Sequence, residues 1–192
     1  MRKTIWILWI VLVMLPGNSM PAAQTKSPET VREDARITKE FQQHVKKYQE
    51  LENKLEHMLP AVKSSTDEKE ILQHQLALRM LVVDARHSAR RGDVFTHDIS
   101  RYFRTAINEV LRSPAAPAVQ KTIHDKDPSK PIAVRVNGVF PEDAPIPTMP
   151  PTLLMRLPVL PMEFSYRLVE GNLVLQDKKT NLIVDFIPDV HP

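Results

Sequence analysis

Proline is distributed too unevenly for one architecture to run through this chain. Of its 17 prolines, four (Pro16, Pro21, Pro28, Pro60) precede residue 113 and thirteen lie from Pro114 to Pro192. Proline in a helix interior removes a backbone donor and clashes with the preceding turn. Long helices are therefore confined to the first part, and the second must be built from short extended pieces. The expected class is α+β. A helical region over 24–113 is followed by a Pro-rich linker over 114–131, then by a Pro-rich segment and small antiparallel meander over 132–192.

Residues 1–23 read as a signal peptide. Arg2 and Lys3 precede an apolar run from Ile5 to Leu15, Pro16 and Gly17 break it, and Pro21-Ala22-Ala23 offers small residues for cleavage near Ala23. Eleven helical residues span about 17 Å, half of a bilayer core, so a short uncleaved anchor or a buried helix is the weaker reading. Cleavage at that point leaves 24 basic and 23 acidic residues, a net of +1, so the charge gives no reason to expect nucleic acid. The chain has no cysteine, which excludes disulfides, thiolate metal sites and a cysteine nucleophile. A periplasmic or secreted protein without an integral span follows, with peripheral membrane contact left open.

Three helices are expected, at about 28–59, 66–91 and 97–112. In the first, Val31, Ile37, Phe41, Val45, Tyr48, Leu51, Leu55, Met58 and Leu59 recur mostly at steps of three or four. Thr30 with Glu33 offers a capping box, Ser27-Pro28 an alternative start, and Pro60 the stop. At about 48 Å this helix is longer than a small domain needs, so it should pair with the next helix as a hairpin or meet another subunit. The second, capped by Ser65, carries Ile71, Leu72, Leu76, Leu78, Met80, Leu81, Val82 and Val83 around more than one face, which predicts burial on several sides. Gly92 closes it. After a Val94-Phe95 elbow and a Thr96 cap, the third has one stripe: Ile99, Tyr102, Phe103, Ala106, Ile107, Val110 and Leu111.

Beyond the linker, Ile132, Val134 and Val136 suggest a short strand ended by Asn137-Gly138, and Leu153, Leu154 and Leu157 a single helical turn. Phe164, Tyr166 and Leu168 alternate, Gly171-Asn172 turns the chain, and 173–176 and 182–187 complete a three-strand meander. Three strands need a partner against their apolar face.

Several segments together resemble an uncharacterised family of exported bacterial proteins. They are Phe41, Val45 and Tyr48; Leu59-Pro60; the elbow Gly92-Asp93-Val94-Phe95-Thr96; Phe103-Arg104; Val136-Asn137-Gly138; Leu157-Pro158 with Leu160-Pro161; Tyr166-Arg167; and Asn181 through Ile187. The resemblance implies export and a helices-then-strands order. It implies no activity.

Three chemistries have candidate residues. For a metal, Glu40/His44 and Glu70/His74 lie four apart and Asp84/His87 three apart, so each pair shares a helix face. Arg86 and Arg90 beside the last pair disfavour a cation, and solvated outer helix faces, where such residues usually lie, are the stronger reading of all six. For an anion, Arg79, Arg86, Arg90, Arg91, Arg101, Arg104 and Arg112 stand against four acidic residues without a lysine, a local net of +3. Helix-end electrostatics is the competing reading. For hydrolysis, Asp143, Glu163, Asp177 and Asp185 lie beside strands, where turn roles are commoner.

Arg91-Gly92-Asp93 spells an adhesion tripeptide that turn chemistry already explains. With three glycines after Ala23, neither a P-loop nor a dinucleotide turn can be assembled, and no nucleophile-elbow or zinc-protease motif occurs. No cofactor is expected. The leading expectation is a non-catalytic interaction protein with an unknown protein partner or a homo-oligomeric state. The alternatives are a metal- or anion-responsive envelope protein and an unrecognised carboxylate hydrolase.

Overall fold

The computed structural model describes residues 27–61, 67–124, 132–141 and 149–190. The leader, Ser65, Asp143 and part of the linker lie outside these residues. The fold is α+β, with five helices and a three-stranded antiparallel sheet among the described residues.

Helix α1 (Pro28–Glu56) uses the Ser27 start. Ser27 Oγ accepts from Thr30 N at 3.2 Å and Pro28 occupies the first turn, where a missing N–H costs nothing. Its buried line is Ile37, Phe41, Val45, Tyr48, Glu52 and Leu55, the middle of the expected stripe with one charged member added; Val31 and Met58 at its ends are exposed, and the helix stops at Glu56 rather than 59. Helix α2 (Glu68–Ala85) is capped by Asp67, whose Oδ1 accepts from Lys69 N at 2.9 Å.

Two expectations for α2 fail. It ends six residues before Arg91, because Arg86 turns inward: Nη1 donates to Asn137 Oδ1 at 2.7 Å and Nη2 to Val184 O at 2.9 Å. It is also not buried on several sides. Only Leu78 and Val82 are buried, while Ile71, Leu72, Leu76, Met80 and Val83 remain exposed. Apolar residues all around a helix bury it only where neighbours exist, and the contacts of α2 with another helix are to α1.

Helix α3 (His97–Leu111) buries Ile99, Phe103, Ala106, Ile107 and Val110, as its stripe requires. Helix α4 (Ala116–His124) lies within the segment read as linker. Pro117 falls in its first turn, where proline is tolerated, and Val119 and Ile123 are buried one turn apart. Helix α5 (Pro151–Leu154) is the expected single turn and buries Leu153.

Strands β1 (Phe164–Val169), β2 (Asn172–Asp177) and β3 (Leu182–Ile187) form the meander in the order β1-β2-β3. Glu170 (φ 47) and Gly171 (φ 78) are the two left-handed residues of the β1–β2 turn. That pair matches the twist of the flanking strands. Pairing passes from Leu175↔Asp185 to Gln176↔Ile183, so Val184 is an extra residue in β3, and its carbonyl is the one bonded to Arg86. The expected strand near residue 134 does not form. Instead Val139 makes a single bridge to Leu182, and Asn137 N and Gly138 O bracket Ile183 at 2.8 Å each.

One sheet face (Phe164, Tyr166, Leu168, Leu173, Leu175) joins the helices in the main core, and the other packs Val169, Val174 and Ile183 on Ile132 and Phe140. Phe103 is the hub of the main core, 5.0 Å from the Phe41 ring, 5.2 Å from Phe95 and 5.8 Å from Tyr166. Each such pair adds about 0.5–1.5 kcal/mol beyond its burial. The sheet is thus supported on both faces. Among the described residues, no helix is long and apolar enough to cross a membrane.

Candidate functional site

The polar groups of the interior gather where the end of α1 and the 86–95 elbow meet the β2–β3 hairpin. Asp185 on β3 is wholly buried and accepts from the backbone N–H of Val94 at 2.9 Å, Phe95 at 2.8 Å and Gly92 at 3.1 Å. Its other oxygen also accepts from Phe186 N at 2.8 Å. A carboxylate surrounded by amide donors fixes the loop around it. The elbow motif and the last strand are therefore one unit, and Gly92, at φ 98, supplies the conformation that aims the amides.

Asp177, at the end of β2, is equally buried and equally committed. It accepts from Tyr48 Oη at 3.0 Å, Lys179 N at 2.8 Å and the Thr180 hydroxyl. Burial first, and the charge of Asp177 second, push the Tyr48 phenol well above its ordinary pKa. Arg86 lies 4.8 Å over the Tyr48 ring, and Asn137 Nδ2 returns a bond to the Arg86 carbonyl at 2.8 Å. Burial lowers the pKa of Arg86, opposed by the charges around it.

Glu52 is the exception. It lies on the apolar line of α1 with 0% of its surface exposed, and neither carboxylate oxygen has a hydrogen-bond partner among the described residues. Lys179 Nζ is 3.7 Å from one oxygen, but the same ammonium bonds Glu56 at 2.9 Å, and His74 Nε2 stands 3.7 Å from Glu56. Burial, reinforced by the Asp177 charge and opposed by Lys179, pushes the Glu52 carboxyl up to about 7.

These positions settle what the sequence candidates do. Asp177 and Asp185 accept from structural donors on the hairpin and the elbow, and Glu163 accepts from Gln49 Nε2 at 3.3 Å. The metal candidates are likewise dispersed. Glu40 pairs with Arg36 at 3.1 Å, His44 Nδ1 meets Asp93 O at 2.8 Å, and His87 Nδ1 meets the carbonyl of Asp84 at 2.9 Å. Glu70 is exposed at the start of α2 and His74 faces Glu56. Among the described residues, no three His, Asp or Glu side chains converge to hold a metal ion.

The arginine cluster divides. Arg79 Nε donates to Thr180 O at 2.6 Å and Arg86 is buried, so both belong to the hairpin contact; Arg90 is exposed in the elbow. Arg91, Arg101 and Arg104 come together with His97 along one groove of about 510 Å³, between the elbow, α3 and the end of β3. The two features missed from sequence are Glu52 and the apolar floor that Phe186, Ile187 and Pro188 give this groove. Glu52 had a signal, since it falls on the same three-and-four spacing as Phe41, Val45, Tyr48 and Leu55.

No family model, no curated protein and no solved structure matches the chain.

Proposed function

We propose that this is an exported, non-catalytic interaction protein of the periplasm or the exterior, and that the outer stripe of α2 is its protein-binding surface. The observation that carries this reading is the exposure of Leu72, Leu76, Met80 and Val83, with Met80 72% exposed. At steps of four, four and three they lie on one side of α2, turned away from Leu78 and Val82. A stripe of this width resembles the seam by which two helices pack. The leader, the near-neutral remainder and the family resemblance support export.

The occupant is a second copy of α2 in antiparallel orientation. Lys69 lies one turn before Leu72 and Asp84 one turn after Met80, both exposed and on the same side of the stripe. Antiparallel pairing brings Lys69 of each copy beside Asp84 of the other, whereas parallel pairing sets like charges together. Light scattering tests this. The expected mass is two chains at about 100 µM, a concentration that populates even a weak dimer, and one chain for the variant Leu76→Lys/Met80→Lys. A one-chain mass for the unaltered protein at every concentration overturns the reading.

A further inference from the structure

We propose that the groove between the elbow, α3 and the end of β3 binds a small organic anion, a carboxylate or phosphate ester attached to an apolar body. Arg91 enters from the elbow, and Arg101 and Arg104 from α3. Arg101 is already paired with Asp98 at 3.0 Å. Arg91 and Arg104 have no carboxylate partner among the described residues. Arg104 Nη1 donates to the Asp189 carbonyl at 2.6 Å, a bond that orients the guanidinium and leaves its charge uncompensated. Arg91 Cζ lies 5.8 Å over the ring of Phe186, which places its charge beside the apolar floor of the groove. Two forks from separate elements, one of them oriented and each with donors to spare, are the arrangement that grips a planar carboxylate or a phosphate.

The floor decides the rest of the ligand. Phe95 and Ile187 are almost fully buried beneath the groove, and Phe186 and Pro188 are half-exposed along it. The hydroxyls of Ser100 and Thr105 are committed to the carbonyls of Phe95 and Arg101 at 2.9 Å each. Asn108, one turn beyond Arg104, has an exposed side-chain amide without a hydrogen bond among the described residues. An apolar floor beside a wall of arginines and already-committed hydroxyls describes a site for an anion with a hydrocarbon or aryl body, rather than for a bare inorganic ion. The volume, about 510 Å³, suits a drug-sized molecule. None of these residues belongs to the α2 stripe, so this site stands or falls independently of self-association.

The probe is phenyl phosphate, titrated by calorimetry against the full protein, with inorganic phosphate and benzyl alcohol as the bare anion and the neutral body. Phenyl phosphate is expected to bind most tightly. Arg91→Ala and Arg104→Ala should each weaken it about tenfold or more, as loss of a bond to a charged group does. Phe186→Leu should weaken phenyl phosphate while leaving inorganic phosphate unchanged, a split that a misfolded variant would not give. Lys54→Ala, on the exposed side of α1, should change nothing. Vesicles of phosphatidic acid separate the two sources of such an anion. Co-sedimentation that disappears in Arg91→Ala identifies a lipid headgroup, and its absence beside retained phenyl phosphate binding identifies a free metabolite. No binding of phenyl phosphate up to about 10 mM, where even a weak site is half filled, overturns the proposal, as does equal binding by both arginine variants and the unaltered protein.

Discussion

Lys179 Nζ stands 3.7 Å from the buried carboxylate of Glu52 and 2.9 Å from the half-exposed one of Glu56, so this ammonium favours the carboxylate that needs it less. Glu56 is held below its ordinary pKa by that bond, and Glu52 is left near 7. The consequence is a pH-dependent stability of unusual sign. Unfolded, Glu52 releases its proton near 4.5; folded, it keeps the proton until about 7. Stability from this group is therefore full below about pH 4.5, falls as pH rises through 7, and is lower by about 3 kcal/mol above that. Glu56 works in the opposite direction, but its exposure screens it. Urea denaturation at pH 5, 7 and 8.5 should show the fall, and Glu52→Gln should flatten it and gain stability at pH 8.5. A variant that follows the unaltered protein across the range would show that Glu52 remains charged when folded.

Asp185 joins the elbow to β3 through three backbone amides and accepts a fourth from its own neighbour Phe186, more than any neutral acceptor would hold as well. Asp185→Asn keeps the size and one acceptor oxygen while losing the charge and part of the donor set. The expected cost is about 2–4 kcal/mol. Hydrogen exchange should report it locally, with the amides of Val94 and Phe95 losing protection before those of β2. Uniform loss across the sheet would place the damage elsewhere.

Asn137 has φ 60, and its side chain exchanges two bonds with Arg86: the guanidinium donates to Oδ1 and Nδ2 donates to the Arg86 carbonyl. Asn137→Gly keeps the left-handed backbone and removes only the amide, leaving a buried guanidinium short of one acceptor. A loss of about 2 kcal/mol is expected. Asn137→Ala should cost more, because it adds the penalty of a Cβ at positive φ. A thermal melt that ranks Gly below Ala would contradict this account.

How far the sequence reaches can be read from these same residues. The stripes of α1 and α3 and the alternation of Phe164, Tyr166 and Leu168 are local periodicities, and each appears where expected. Helix α4 is hidden in a polar, Pro-rich segment that reads as a linker, although Pro114 precedes the helix and Pro117 sits in its first turn. The error on α2 has a different origin: hydrophobicity states a preference for burial, and only the arrangement of neighbours decides whether burial occurs. The joint around Glu52 and the arginine groove are built from contacts spanning 85 to 129 residues of sequence, such as Arg104 to Asp189 and Tyr48 to Asp177. No spacing rule reports those. Arg91 and Phe186 could be recognised as neighbours only after Asp185 had been seen to hold the elbow.

The α2 stripe gives the prediction that separates binding from folding. A large apolar side chain buried in a core costs 2–5 kcal/mol when truncated, and more when replaced by a charge. Met80 and Leu76 face outward, so replacing both by lysine should leave the melting temperature of the single chain within a few degrees of the original. Leu78→Ala, two residues from Leu76 and from Met80 but on the opposite side of α2 and fully buried, should lower stability by about 2–5 kcal/mol while leaving the association surface intact. The two variants thus exchange phenotypes: one loses its partner and keeps its fold, the other keeps its partner at temperatures where it remains folded. If Leu76→Lys/Met80→Lys instead unfolds the protein, the stripe is packed against this same chain and cannot be a binding face.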